Sequence, residues 1–115
     1  MVSTSTAHPT SHQYLTAHTP DASPNQHILP LTAKVNDRDC LEVGGCDVTE
    51  LVQQFGSPLY ILDEASVRTA CQQYRDGWQK YYPGESLVIY ASKAWSCLAI
   101  CAIVGSEGLG IDAVS

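Results

Sequence analysis

Lys93 stands where a reactive amine would be useful. It follows Tyr90-Ala91-Ser92 at the C-terminal exit of the apolar run Ser86-Leu-Val-Ile-Tyr-Ala91. In folds built from parallel strands flanked by helices, ligands and catalytic groups gather at that end of the sheet. Low-dielectric surroundings disfavour an ammonium ion, so a lysine there is expected to titrate below its ordinary value of about 10.4. A neutral amine is what Schiff-base chemistry needs. The small neighbours Ala91 and Ser92 would let a flat aromatic cofactor approach the backbone. By position alone, an ordinary surface lysine with its stem along the strand exit is the favoured reading. Asp112 is the second candidate, because it interrupts the apolar run Ile111–Val114 and carboxylates in such runs are usually paired or functional. If the two strands are parallel neighbours, Asp112 points toward the same end as Lys93. An ordinary hydrogen-bonded structural aspartate fits equally well.

Other chemistry is poorly represented. The glycines Gly105, Gly108 and Gly110 are spaced GxxGxG and precede a strand, which is not the dinucleotide-binding order. No phosphate-loop motif is present. All four histidines (His8, His12, His18, His27) lie before residue 34, so no Ser-His or Cys-His couple is credible. His8 and His12 are four apart, but Pro9 between them argues against the helix that would aim both at a metal, and no metal site is expected. Cys40, Cys46, Cys71, Cys97 and Cys101 lack CxxC spacing and read as reduced thiols used as small hydrophobes.

The elements around Lys93 follow from periodicity and punctuation. Leu41, Val43 and Gly44-Gly45 suggest a short strand and turn. Asp47 or Thr49 is expected to cap a helix over 49–55 that Gly56 closes. Residues 58–62 read as a short strand opened by Pro58. Asp63 offers an N-cap to an amphipathic helix in which Val67, Ala70, Cys71, Tyr74, Trp78 and Tyr81 recur at steps of three and four. Tyr74, Trp78 and Tyr81 are expected in the core, Arg68, Gln72 and Arg75 on the wet face, and Pro83-Gly84 at the stop. The unbroken apolarity of Leu87–Ala91 suits a strand of a parallel sheet, buried on both faces. A second helix is expected over 96–104, capped by Ser96, stopped by Gly105 and enclosed by protein because it is apolar all round. Residues 111–115 complete a strand-helix-strand unit.

The chain has 115 residues with 6 basic and 12 acidic side chains, a net charge of −6. That length suits one small domain. The acidic balance and the scattered Lys and Arg argue against nucleic acid, and no apolar run of about 18 residues suggests a membrane span. Residues 1–33 are about half Ser, Thr, Pro and His, carry no Lys or Arg, and are expected to form a disordered tail. Residues 34–62 form an N-terminal segment, and 63–115 open an α/β fold. The last strand would leave an open edge, and a (β/α)₈ barrel needs about 250 residues. The sequence is therefore expected to be the N-terminal piece of a longer protein.

Three blocks then combine. Phe55-Gly-Ser-Pro-Leu-Tyr-Ile-Leu-Asp-Glu64, Tyr90-Ala-Ser-Lys-Ala94 and Gly108-Leu-Gly-Ile-Asp-Ala-Val-Ser115 resemble, in order and spacing, the N-terminal region of the diaminopimelate decarboxylase family. These are pyridoxal-phosphate decarboxylases with an alanine-racemase-like barrel. The resemblance covers about residues 38–115. It implies that Lys93 forms the Schiff base with pyridoxal 5′-phosphate, that Ala91 and Asp112 help hold the cofactor, and that Leu87–Ala91 is the first strand of a (β/α)₈ barrel. The segment before Asp63 would pair with a β-rich C-terminal domain. The implied reaction is decarboxylation of meso-2,6-diaminopimelate to L-lysine and CO₂ in a cytoplasmic homodimer, with the fragment alone inactive. Where many relatives have Asn, this chain has Trp95. Two alternatives stay open: another basic amino-acid decarboxylase of the ornithine, arginine or carboxynorspermidine type, and a non-catalytic α/β binding remnant.

Overall fold

The computed structural model describes residues 25–113. A short 3₁₀ turn (Gln26–Ile28) leads into strands β1 (Lys34–Val35), β2 (Leu41–Val43) and β3 (Cys46–Asp47). These form an antiparallel sheet in the order β1-β2-β3. Gly44 and Gly45 join β2 to β3, and both have positive φ, 61° and 80°. A two-residue hairpin turn of that hand needs residues without a Cβ penalty, which is why the Gly-Gly pair sits there.

Helix α1 (Val48–Phe55) starts directly from β3. Of the two caps foreseen, Asp47 does the work. Its Oδ1 accepts from the amides of Thr49 (2.8 Å) and Glu50 (3.3 Å). Its Oδ2 accepts from Asn36 Nδ2 (2.7 Å) and Arg38 Nη2 (2.9 Å). The helix closes at Gly56, as its sequence suggested. The Thr49 hydroxyl and Asn36 amide, then the amides of Glu50 and Thr49, hold the Asp47 carboxyl far below the usual range despite burial. The folded value lies below the unfolded one, so this contribution is present above about pH 4 and is lost as pH falls through the folded value. Asp47→Ala should therefore lower the amide-exchange protection of α1 at neutral pH, and the gap from wild type should close in strong acid. A gap that widens on acidification would contradict this.

Helix α2 (Glu64–Tyr81) matches the span its periodicity predicts. Asp63 occupies the N-cap position, but its carboxylate makes no bond to the helix amides. It accepts from the Ser66 hydroxyl instead. Burial pushes the Asp63 carboxyl up, but hydrogen bonds from Ser66 and Thr32 outweigh it and leave the group below its ordinary value.

Strand β4 (Ile89–Ala91), helix α3 (Leu98–Ser106) and strand β5 (Gly110–Asp112) follow. β4 and β5 pair in parallel, with Ile89 opposite Gly110, Tyr90 opposite Ile111 and Ala91 opposite Asp112. The predicted strand-helix-strand unit is thus present. Its core is Cys71 from α2 with Ile100 and Val104 from α3, flanked by Val67, Tyr90, Cys97 and Leu109. Burial raises the Cys71 thiol, and the nearby Glu107 charge adds to this, so Cys71 stays protonated as a small apolar side chain.

Several expectations are corrected. Residues 25–33, assigned to the tail, are partly structured: Ala33 is buried and the Leu31 amide donates to Ser66 Oγ at 2.8 Å. Residues 1–24 lie outside the described residues. Residues 58–62 form no strand, and among the described residues no neighbouring strand pairs with them. β4 is shorter than foreseen and Ile89 is exposed, because only β5 adjoins it here. α3 starts after Cys97 rather than at Ser96 and is not enclosed: Leu98 is 88% exposed while Ile100, Ile103 and Val104 turn inward. It runs past Gly105. The stop is Gly108, at φ +78°, with Gly108 N–H donating to Gly105 O and Leu109 N–H to Val104 O. That pair of bonds, with Leu109 against the core, is a Schellman ending. Tyr74 and Tyr81 are more than 70% exposed and Trp78 about half, because the core contacts on α2 fall at Val67 and Cys71, nearer its start.

Candidate functional site

The structure brings the three sequence-predicted residues to one edge, the C-terminal end of the β4-β5 pair. Ala91 ends β4 and Asp112 ends β5, directly opposite each other in register. The chain then turns over Ser92 and Lys93. The Ala94 amide donates to Ala91 O at 3.0 Å and closes that turn. Ser92 N–H donates to Asp112 Oδ1 at 2.5 Å. The Tyr90 hydroxyl donates to Trp95 O at 3.1 Å and ties the strand to the segment beyond the turn.

Lys93 itself is exposed, and no hydrogen bond or ion pair engages its amine among the described residues. The low-dielectric surroundings foreseen for it are therefore not supplied by residues 25–113. Asp112 is likewise exposed, not buried in an apolar strand. It sits at the strand end, where its carboxylate substitutes for the next rung of the ladder. Tyr90 was missed in the sequence, because an aromatic in an apolar run reads as core, and only its hydroxyl contact sets it apart.

A charge cluster between α2 and the end of α3 lies elsewhere and holds the scaffold. Glu107 accepts from Arg68 Nη1 (2.8 Å) and Gln72 Nε2 (3.0 Å), and Arg75 Nη1 reaches its backbone oxygen (2.9 Å). Arg68, then Gln72, then the charge of Arg75 hold the Glu107 carboxyl below its ordinary range. Arg68, Gln72 and Arg75 are thus not simply solvated. They clamp the C-terminal end of α3, where positive charge also suits the helix dipole. An open groove lined by residues such as Thr32, Val43, Cys46 and Asp63 includes none of Ala91, Lys93 or Asp112. Among the described residues no cluster of His, Cys, Asp and Glu could hold a metal, and no helix is long and apolar enough to cross a membrane.

No protein-family model matches the chain. Individual relatives do. A diaminopimelate decarboxylase from Synechocystis sp. is 58% identical over all 115 residues, which make up 24% of that protein. Diaminopimelate decarboxylases from Bacillus methanolicus and Methanothermobacter thermautotrophicus are 39% and 42% identical over 84 residues, each match covering 19% of the relative. The chain spans about a quarter or less of the relatives it matches. The similarity, which extends over the whole chain in the first of these matches, is to diaminopimelate decarboxylases.

Proposed function

We propose that this chain supplies the cofactor-anchoring lysine of a pyridoxal 5′-phosphate-dependent decarboxylase acting on meso-2,6-diaminopimelate. The observation that carries this reading is Lys93, an exposed amine that no described residue engages, in a tight turn at the C-terminal end of a parallel strand pair. The β4-α3-β5 unit is then the opening of a (β/α)₈ barrel, a reading supported by its parallel pairing across an intervening helix.

The residues present fit the covalent anchor of such a cofactor. Among the described residues the Lys93 amine has no hydrogen-bond or ion-pair partner, and Ala91 and Ser92 beside it are small. Lys93 would hold the cofactor through Nζ. When bound, the cofactor supplies an electron sink for the pair left on the α-carbon as CO₂ departs. Ala91 and Ser92 would leave the turn backbone open to a flat ring. Nζ would also be the group of this chain to carry a proton to or from that α-carbon. Asp112 lies one strand away and fixes the turn.

The test is substrate choice in the full-length protein that carries this chain. CO₂ release should require pyridoxal phosphate, and kcat/KM for meso-2,6-diaminopimelate should exceed that for L-ornithine or L-arginine by at least about a hundredfold. Equal or better turnover of ornithine or arginine, or no release from any of them, would overturn the assignment.

A further inference from the structure

We infer that Asp112 is a positioning residue that acts on Lys93 through the backbone of Ser92, an inference that rests on the assignment of Lys93 as the cofactor anchor. β4 stops pairing at Ala91, opposite Asp112. The next amide on that strand, Ser92 N–H, has left the ladder and needs another acceptor. The Asp112 side chain provides it at 2.5 Å. Ser92 is the residue immediately before Lys93, and the same turn is closed by the Ala94 amide on Ala91 O at 3.0 Å. Lys93 is therefore held between two fixed points, one made by its own strand and one lent by the neighbouring strand.

The bond from the Ser92 amide to the Asp112 side-chain oxygen is short and directional, so it restrains φ and ψ at Ser92 and with them the direction in which Lys93 leaves the sheet. An amine on an exposed turn would otherwise sample many directions, at a cost in orientation for every bond it makes. A carboxylate at the end of β5 supplies this order without a covalent link and without burying the amine. The contribution is geometric, so a neutral oxygen acceptor of the same shape should serve almost as well.

The experiment compares Asp112→Asn, which keeps a side-chain oxygen acceptor, with Asp112→Ala and with Asp112→Leu, which keeps the volume and removes the acceptor. All three are made in the full-length protein, and Asp112→Leu stands in if the alanine variant does not fold. In cofactor-free protein, Ser92 amide exchange should quicken by about tenfold in the alanine and leucine variants and stay close to wild type in Asp112→Asn. With pyridoxal phosphate added, the rate of capture by Lys93 should fall by a similar factor in the same two variants, and the pH midpoint of the cofactor absorbance should be unmoved in Asp112→Asn. An Asn variant as slow as alanine, or a shifted midpoint in Asp112→Asn, would show that the charge acts on the cofactor directly and would overturn the backbone role. Wild-type behaviour in both acceptor-free variants would overturn it too. Cofactor found on a residue other than Lys93 would overturn the functional assignment, a separate outcome from any pattern among the Asp112 variants.

Discussion

Lys93→Ala, made in the full-length protein, should fold as wild type does and lose covalent cofactor attachment altogether. Decarboxylation should fall by at least roughly a thousandfold, the scale on which loss of a covalent catalytic group is felt. Folding is expected to survive because Lys93 is exposed and makes no ion pair or hydrogen bond among the described residues. Its removal costs no hydrogen bond or ion pair among the described residues. That separates it from Arg68 and Arg75 of α2, which are engaged with Glu107, so replacing them would unsettle the α2-α3 packing before it touched any chemistry. The expected signature is a well-folded protein that fails to fix pyridoxal phosphate. Retained activity within tenfold of wild type would contradict the role given to Lys93.

Ile100→Ala carries the largest expected loss of stability. Ile100 is 2% exposed and lies with Cys71 of α2 and Val104 of α3 in the buried cluster against which Tyr90 of β4 and Leu109 pack. Removing three buried carbons forfeits their transfer free energy and leaves a cavity, which together cost about 2–5 kcal/mol. Ile100→Val, which removes a single methyl group, should cost about 0.5–1.5 kcal/mol. Tyr90 lies within β4 and Leu109 directly precedes β5, so the cavity also loosens the two strands that lead to Lys93 and Asp112. Urea unfolding of the full-length protein, followed by a probe in this region, measures the difference. A change below about 1 kcal/mol for Ile100→Ala would mean that this cluster is not the packing centre of the unit.

Local rules were legible wherever a single element decides the outcome. The Asp47 cap needs only an acceptor two and three residues before the amides it serves. The span of α2 follows from apolar residues at steps of three and four. The parallel β4-β5 pair follows from continuous apolarity around an intervening helix. What was not legible depends on partners far along the chain. Glu107 meets Arg68, Gln72 and Arg75 from 32 to 39 residues away, and nothing in the pattern of α2 distinguishes a solvated arginine from one that clamps another helix. Gly105 and Gly108 look alike as stop signals, and only the positive φ at Gly108 decides between them. The exposure of Tyr74 and Tyr81 arises in the same way, because periodicity names a face but not what covers it.

At the candidate site, sequence identified Lys93 by its place after an apolar strand and Asp112 by its charge within one. It did not show that they are joined through Ser92, since that bond depends on the register Ala91–Asp112. One residue of slip would aim the carboxylate at the opposite face of the sheet.

The most direct measurement is borohydride reduction of the full-length protein with pyridoxal phosphate bound, followed by peptide mapping of the label. The pyridoxyl group is expected on the peptide that contains Tyr90-Ala-Ser-Lys-Ala94, attached at Lys93 Nζ. A label on any other lysine, or none at all, would contradict it.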